Sequence, residues 1–334
     1  MKKILAIVLA VAMVLSLVAC GSKTESAPAA DGKTEVAPAA TTKFRFVTGG
    51  EAGTYYAFGS VIAQHATNNA GINVVGLVGN GSQSNVLEMQ DGNAELAFCQ
   101  SDVMAYAYNG TNLFKDSGAV KCFSTVAALY TEQVQIVTLD PSIKTVADLA
   151  GKKVSIGAAG SGVYFNAIDI LGVYGLTEND IIPTYQSFND SANDLKDGKI
   201  DAAFIVAGAP TTAVTDLATT KSVSLVSLDD QHIEQLLAAS PFYAKCTIAK
   251  DVYGTEGDCY TVGVGAVVLA RNDISEDAVY SLVKDIFDNA ANLTSSHAKY
   301  GEVSLEYGAS ITSVPYHPGA AKYFKEKGMS VFEG

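Results

Sequence analysis

The chain has 334 residues, 48% of them apolar, and a formal charge of −13. So acidic a balance argues against nucleic acid, whose phosphates need clustered Lys and Arg. It argues equally against extended docking on anionic lipid, and only two arginines, Arg45 and Arg271, are present.

The N-terminus reads as an export segment. Lys2 and Lys3 precede an uncharged apolar run, residues 4–19, which is short for a membrane span. It closes as Leu17-Val18-Ala19-Cys20-Gly21 and resembles a bacterial lipobox, with residues 1–20 as lipoprotein signal peptide and Cys20 as the lipidated residue. Residues 21–42 are rich in Ala, Pro, Ser and Thr, hold no aromatic, and repeat Ala-Pro-Ala-Ala, the composition of a flexible tether.

From residue 43 onward strands and helices alternate. A strand over residues 44–47 leads to Gly49-Gly50-Glu51-Ala52-Gly53-Thr54-Tyr55-Tyr56 and a helix over 54–68 with apolar residues at helical spacing. A strand at 74–78, a turn at Gly79-Asn80-Gly81, and a helix from Ser82, placed to N-cap it, follow. Residues 95–99 read as a buried strand, and Gln100-Ser101-Asp102 opens another helix, with Asp102 favoured by the helix dipole.

Residues 123–129 and 134–139 read as two strands broken at Tyr130-Thr131-Glu132-Gln133, the first crossing to a second lobe. There the opening unit is echoed. A strand at 154–156 leads to Gly157-Ala158-Ala159-Gly160-Ser161-Gly162-Val163-Tyr164-Phe165 and a helix over 161–173. Strands at 181–185, 202–206 and 223–228 and helices at 192–196 and 211–218 follow. Asp197-Gly198-Lys199-Ile200-Asp201-Ala202 echoes Asp91-Gly92-Asn93-Ala94-Glu95-Leu96. A return crossing lies between about 241 and 270, and helices at 276–293 and 320–327 end the chain against the first lobe. This alternation predicts α/β lobes with largely parallel sheets, and both glycine loops fall at strand carboxyl ends, where such sheets bind ligands.

Catalytic patterns are missing. No G-x-S-x-G, G-x-x-x-x-G-K-[ST], G-x-G-x-x-G or H-E-x-x-H occurs, and His65, His232, His297 and His317 are scattered. The four later cysteines, Cys99, Cys122, Cys246 and Cys259, form no C-x-x-C. Pairing of Cys246 with Cys259, or Cys99 with Cys122, stays open beside free thiols. As binding elements the glycine loops bring backbone close to a ligand and aim helix N–H groups at it. Thr54, Ser82 and Ser161 add hydroxyls, Asn85 and Gln100 amides, and Tyr55, Tyr56, Tyr164 and Phe165 candidate walls, with core packing the alternative for Tyr56 and Phe165.

Together Thr48-Gly49-Gly50, Gly53-Thr54-Tyr55-Tyr56, Gly81-Ser82, Asn85, Gln100-Ser101-Asp102, the segment from Gly151 to Gly162, Asp197-Gly198-Lys199-Ile200-Asp201-Ala202 and His317-Pro318-Gly319-Ala320 resemble, in order and spacing, the TAXI family of TRAP transporter solute receptors. The resemblance covers residues 44–328. It implies a two-lobed periplasmic-binding-protein-like (type II) α/β fold with two crossing segments forming a hinge. Lobe I is expected over residues 43–132 plus about 260–334, and lobe II over 133–259. It implies a non-enzymatic, monomeric extracytoplasmic receptor, lipid-anchored at Cys20 to the outer face of the cell membrane. Such a receptor passes a small-molecule solute to the integral membrane subunits of a secondary transporter, with no cofactor and no metal. The family's ligands tend toward glutamate, glutamine or related dicarboxylates. Its pocket positions fall on Thr54, Tyr55, Ser82, Asn85, Gln100, Asp102, Ser161, Gly162 and Tyr164. Better-known TRAP receptors clamp a carboxylate with an arginine, and here neither arginine lies on a pocket loop. Glu51 also departs from the family's small or hydroxyl residue and, facing the cleft, would favour an ammonium group. An exported enzyme or a ligand-sensing domain on the same scaffold is the alternative reading.

Overall fold

The computed structural model describes residues 43–334; the signal segment, Cys20 and the tether lie outside the described residues. β1 (Lys43–Val47), α1 (Thr54–Asn69), β2 (Asn73–Leu77), α2 (Ser82–Gln90), β3 (Leu96–Gln100) and α3 (Ser101–Asn109) form the first unit. β4 (Phe123–Thr138) leads out of it. The second unit repeats the order with β5 (Lys153–Ser155), α4 (Val163–Val173), β6 (Ile182–Thr184), α5 (Phe188–Lys196), β7 (Ala202–Ala207) and α6 (Thr212–Ala218). β8 (Ser224–Leu225), α7 (Asp230–Ala239) and β9 (Ala244–Ile248) precede the return strand β10 (Cys259–Arg271). The chain closes with α8 (Glu276–Asp288), α9 (Ala290–Leu293), α10 (Leu305–Gly308) and α11 (Pro318–Glu326).

All ten strands join one sheet in the order β2-β1-β3-β10-β4-β7-β5-β6, with β8 on β4 and β9 on β10. The echoed sequences build the same substructure twice. β1 lies between β2 and β3, and β5 between β6 and β7, all parallel. In each trio the central strand is the one that feeds a glycine loop. The result is a two-lobed α/β protein joined by β4 and β10, long antiparallel strands that run through both halves of the sheet.

The largely parallel sheet expected from the alternation therefore holds only within each trio, because the strands that join the lobes run antiparallel. Nor does Tyr130-Thr131-Glu132-Gln133 break the first crossing. Tyr130 pairs with Ala266, Thr131 with Gly265 and Glu132 with Val264, so β4 is continuous. The residues read as a break keep ladder geometry, and the irregularity reduces to two register shifts, at Ala266/Val267 and at Val268/Leu269. The helix expected over 276–293 divides at Asn289, α7 occupies a stretch to which no element was assigned, and β9 lies within the stretch read as the return crossing.

Apolar burial divides with the lobes. One core gathers Phe46, Phe58, Phe98, Phe123, Val268, Val283 and Phe324, so α8 and α11 do pack with the first unit. A second gathers Val154, Ile170, Phe204 and Val264, and a third, behind it, Val137, Ile205 and Val214. Phe165 belongs to the first core although it sits on α4 of the second unit, resolving its two readings in favour of packing. Cys99, Cys122, Cys246 and Cys259 are free thiols. Cys246 lies opposite Thr261 and Cys259 opposite Ile248, so the β9–β10 register offsets the two sulfurs. No described helix is long and apolar enough to cross a membrane.

Candidate functional site

A cavity of about 690 Å³ lies where the two glycine loops meet. Gly49 to Tyr55 and Val78 to Ser82 line it from the first unit. Ala158, Ser161, Gly162, residues 186–189, Val206, Ala207 and Thr212 line it from the second, and Glu132 from the crossing strand β4.

Helix starts converge on this space, because each parallel strand delivers its chain to the same sheet edge. α1, α2 and α4 begin there with Gly53, Gly81 and Gly162 as N-caps, none of which has a side chain to accept from the first-turn N–H groups. Of their first-turn donors, Ser84 N–H is taken by the Gly160 carbonyl and Phe165 N–H by that of Gly162. The others are left for a ligand, and the helix dipoles favour a carboxylate or similar anion beside them. At Gly162 the need for glycine is steric. A Cβ there would sit 1.3 Å from Gln100 Oε1 and 2.9 Å from Ser82 Oγ. Gly81, at φ +105, combines left-handed backbone with a Cβ position 3.1 Å from Ser161.

Among the family-implied pocket positions, Thr54, Tyr55, Ser82, Gln100, Ser161 and Gly162 line the cavity. The Ser161 hydroxyl is buried with no protein partner, and so is that of Tyr55, whose ring stacks on Phe98 at 4.6 Å. Ser82 is not an N-cap. Its Oγ accepts from the Gln100 backbone N–H at 3.0 Å and donates to Gln100 Oε1 at 3.3 Å, fixing the amide at the cavity wall. Thr54 donates across the cleft to the Gly208 carbonyl at 2.9 Å.

Three of those positions lie elsewhere. Asn85 is fully buried and ties the first unit together, donating to the carbonyls of Thr48 and Phe98. Asp102 is buried behind the cavity, where its carboxylate accepts from Val103 N–H and from Asn166 Nδ2. Tyr164 points away and donates to Glu178 at 3.0 Å, since the start of α4 turns Phe165 and Asn166 toward the first unit instead.

Asn166 joins the units. Its Oδ1 accepts from Gln100 Nε2 at 2.7 Å, and its Nδ2 donates to Asp102 and to the Tyr243 hydroxyl, which itself donates to Asp169. Backbone bonds also cross the cleft, from Ser84 N–H to the Gly160 carbonyl at 2.8 Å and from Ala213 N–H to that of Ala52 at 3.2 Å.

The electrostatics are unusual for an anion site. No lysine or arginine is among the cavity-lining residues. Arg45 is held by Glu95 and the Gly92 carbonyl, and Arg271 pairs with Asp273. Glu51 stands exposed at the rim, while Glu132 is buried at the floor, where desolvation pushes its carboxyl up to about 8. Burial likewise pushes Asp102 up to about 7. None of the four histidines lines the cavity, and no described cluster of His, Cys, Asp and Glu is arranged to hold a metal ion.

The sequence matches the NMT1-like family over residues 46–328. The chain belongs to that family. Solved structures that resemble it include a protein from Bordetella bronchiseptica RB50, 17% identical, covering 79% of this chain and 76% of that one at a TM-score of 0.51. Others are the alkanesulfonate-binding protein SsuA from Xanthomonas axonopodis pv. citri bound to MOPS (15% identity, 86% and 92% coverage, TM-score 0.48) and the periplasmic aliphatic sulphonate binding protein SsuA from Escherichia coli (16%, 85% and 78%, 0.46). At these identities the likeness is one of fold alone.

Sequence reasoning passed over several residues that this NMT1-like chain brings to the cavity or its seam: Glu132, Gln186, Phe188, Thr212 and Asn166. For Glu132 a signal existed. It is the only charged residue between Phe123 and Leu139, and a lone acid in an apolar strand is seldom there without purpose. The others carried none, since their place depends on how the second unit docks on the first.

Proposed function

We propose that this chain is the extracytoplasmic solute receptor of a TRAP-type secondary transporter, of the TAXI kind. In this reading it binds one small polar solute between its lobes and delivers it to the integral membrane subunits, while lipid at Cys20 holds it to the outer face of the cell membrane. The observation that carries the reading is the cavity itself, built by two copies of one glycine loop whose uncapped helix starts face each other across a seam of hydrogen bonds. Thr54, Tyr55, Ser82, Gln100, Ser161 and Gly162 are the proposed ligand contacts, with Asn85, Asp102 and Tyr164 in supporting places. Lobe I is taken as residues 43–132 with about 260–334, lobe II as 133–259, and β4 and β10 as the hinge about which they close.

The solute fits the glutamate and glutamine class, and within it an amino acid fits better than a simple dicarboxylate. Helix N-termini offer one end of the cleft to a carboxylate, while two acids and no cationic side chain line the rest. Calorimetry with a panel of amino acids and organic acids tests this. Micromolar binding of one member, without turnover, is expected; absence of binding to every small solute would sink the receptor reading. Replacing Cys20 by Ser should shift the exported chain from the membrane to the soluble fraction, and retention on the membrane would remove the lipid anchor.

A further inference from the structure

Glu132 is 2% exposed and lines the cavity where β4 passes between the lobes. Its carboxyl is poorly partnered. The Tyr130 hydroxyl donates to it at 3.4 Å, and the Tyr55 hydroxyl beside it makes no hydrogen bond of good geometry. Lys299, a cation close enough to act on it, is committed elsewhere, to the Ala209 carbonyl and to Glu302. The other titratable groups around it are Cys99 from β3, Asp102 from α3 and Tyr307 from α10. Among the described residues no ion pair reaches Glu132, and a buried carboxylate without one is costly.

We infer that Glu132 reads a cationic nitrogen of the solute and exchanges a proton for it: an ammonium group docks on the Glu132 carboxylate while the solute's other end rests at the uncapped starts of α2 and α4. This rests on the receptor reading above and names the solute class of the same cleft. Glu132 replaces Glu51, out at the rim, as the partner of the ammonium end. In the ligand-free cleft at neutral pH, desolvation keeps the proton on Glu132. The arriving ammonium keeps its own proton and supplies the missing counter-charge, so Glu132 ionises and its proton leaves to solvent. One proton is released per solute bound, and no bond other than O–H is broken. A dicarboxylate lacking an amine cannot drive this exchange and would set acid against acid.

The test is calorimetry on the full chain at pH 7 in phosphate and in Tris, whose ionisation heats differ. The probes are the twenty amino acids, the amine putrescine, and the amine-free acids glutarate and glutaramate. Binders are expected to carry an amine and to release close to one proton. Their affinity should tighten between pH 6 and pH 8, as deprotonation of Glu132 becomes easier. E132Q should weaken binding by about 10-fold or more and abolish the buffer dependence. The wild-type pH series gives the same information if the variant fails to fold. Tight binding of glutarate, with no proton released and no pH dependence, overturns the role of Glu132 and leaves the receptor reading standing. Failure of every probe to bind overturns the receptor reading itself, and this inference with it.

Discussion

A methyl group added at Gly162 would overlap Gln100, whose amide is held by Ser82 on one side and Asn166 on the other. Gly162→Ala should therefore force the seam apart and weaken solute binding by about 10-fold or more, read by calorimetry. Ser161→Ala removes an unpartnered hydroxyl from the cavity and should also weaken binding, with little change in melting temperature. Tyr164→Phe loses only a bond to Glu178 and should leave affinity unchanged; a loss equal to that of Ser161→Ala would return Tyr164 to the site. The two buried acids set a pH dependence with an uncommon sign. Their pKa values in the folded chain are raised, to about 7 for Asp102 and about 8 for Glu132, chiefly by desolvation. Between the ordinary carboxylate range and those values the unfolded chain has lost protons that the folded chain keeps. Stability is therefore greatest on the acid side and falls as pH rises, by up to about 1.4 kcal/mol per pH unit for each group. His297 and His317, whose pKa values burial lowers, oppose this slope below about pH 6.5. Melting temperatures of the ligand-free chain should therefore decline from about pH 6.5 to pH 8, and E132Q should flatten part of that slope. A melting temperature that rises over this range would show that the acids are ionised in the fold.

At the scale of elements, α4 is the piece that couples the lobes. Its Phe165 enters the first core and its Asn166 answers Gln100, Asp102 and Tyr243. Asn166→Ala leaves several buried groups without a partner and should cost about 1–3 kcal/mol in thermal or denaturant unfolding. Phe98→Ala, inside the first core and beneath the Tyr55 ring, should cost about 3–5 kcal/mol. How legible these elements were in the sequence follows from their physics. α1, α2, β3 and β7 carry local signals, a glycine start or a short apolar run, and they form where expected within a residue or two. β4 was split because Thr131, Glu132 and Gln133 look like a break between apolar runs unless the opposite strand is known, and β10 supplies their ladder partners from at least 130 residues away. Ser82 failed as a cap for a similar reason, since its hydroxyl found Gln100, a partner set by the packing of α2 on β3.

For the whole molecule, two strands carry the connection between the lobes, so closing on a solute should appear as a fall in radius of gyration by solution X-ray scattering. An unchanged radius on saturation with a bound solute would mean a rigid cleft instead of a hinge. Two lobes were legible because the chain writes one unit twice, and a repeated strand–glycine loop–helix has few ways to bury its apolar face. The same local logic marked the glycine loops as binding elements, since backbone that must approach a ligand needs residues without side chains. What the sequence alone determined is thus the pair of units, their glycine loops, and the acidity that turns away polyanions. Only the tertiary structure decided what faces the cavity. It set Asn85, Asp102 and Tyr164 away from the cavity, brought Glu132 to it, buried Asn166 in the seam between the units, and left the cleft without a cationic side chain. The reason is physical: a residue's local pattern fixes which face of its element it occupies, while what that face meets depends on the docking of segments a hundred residues apart.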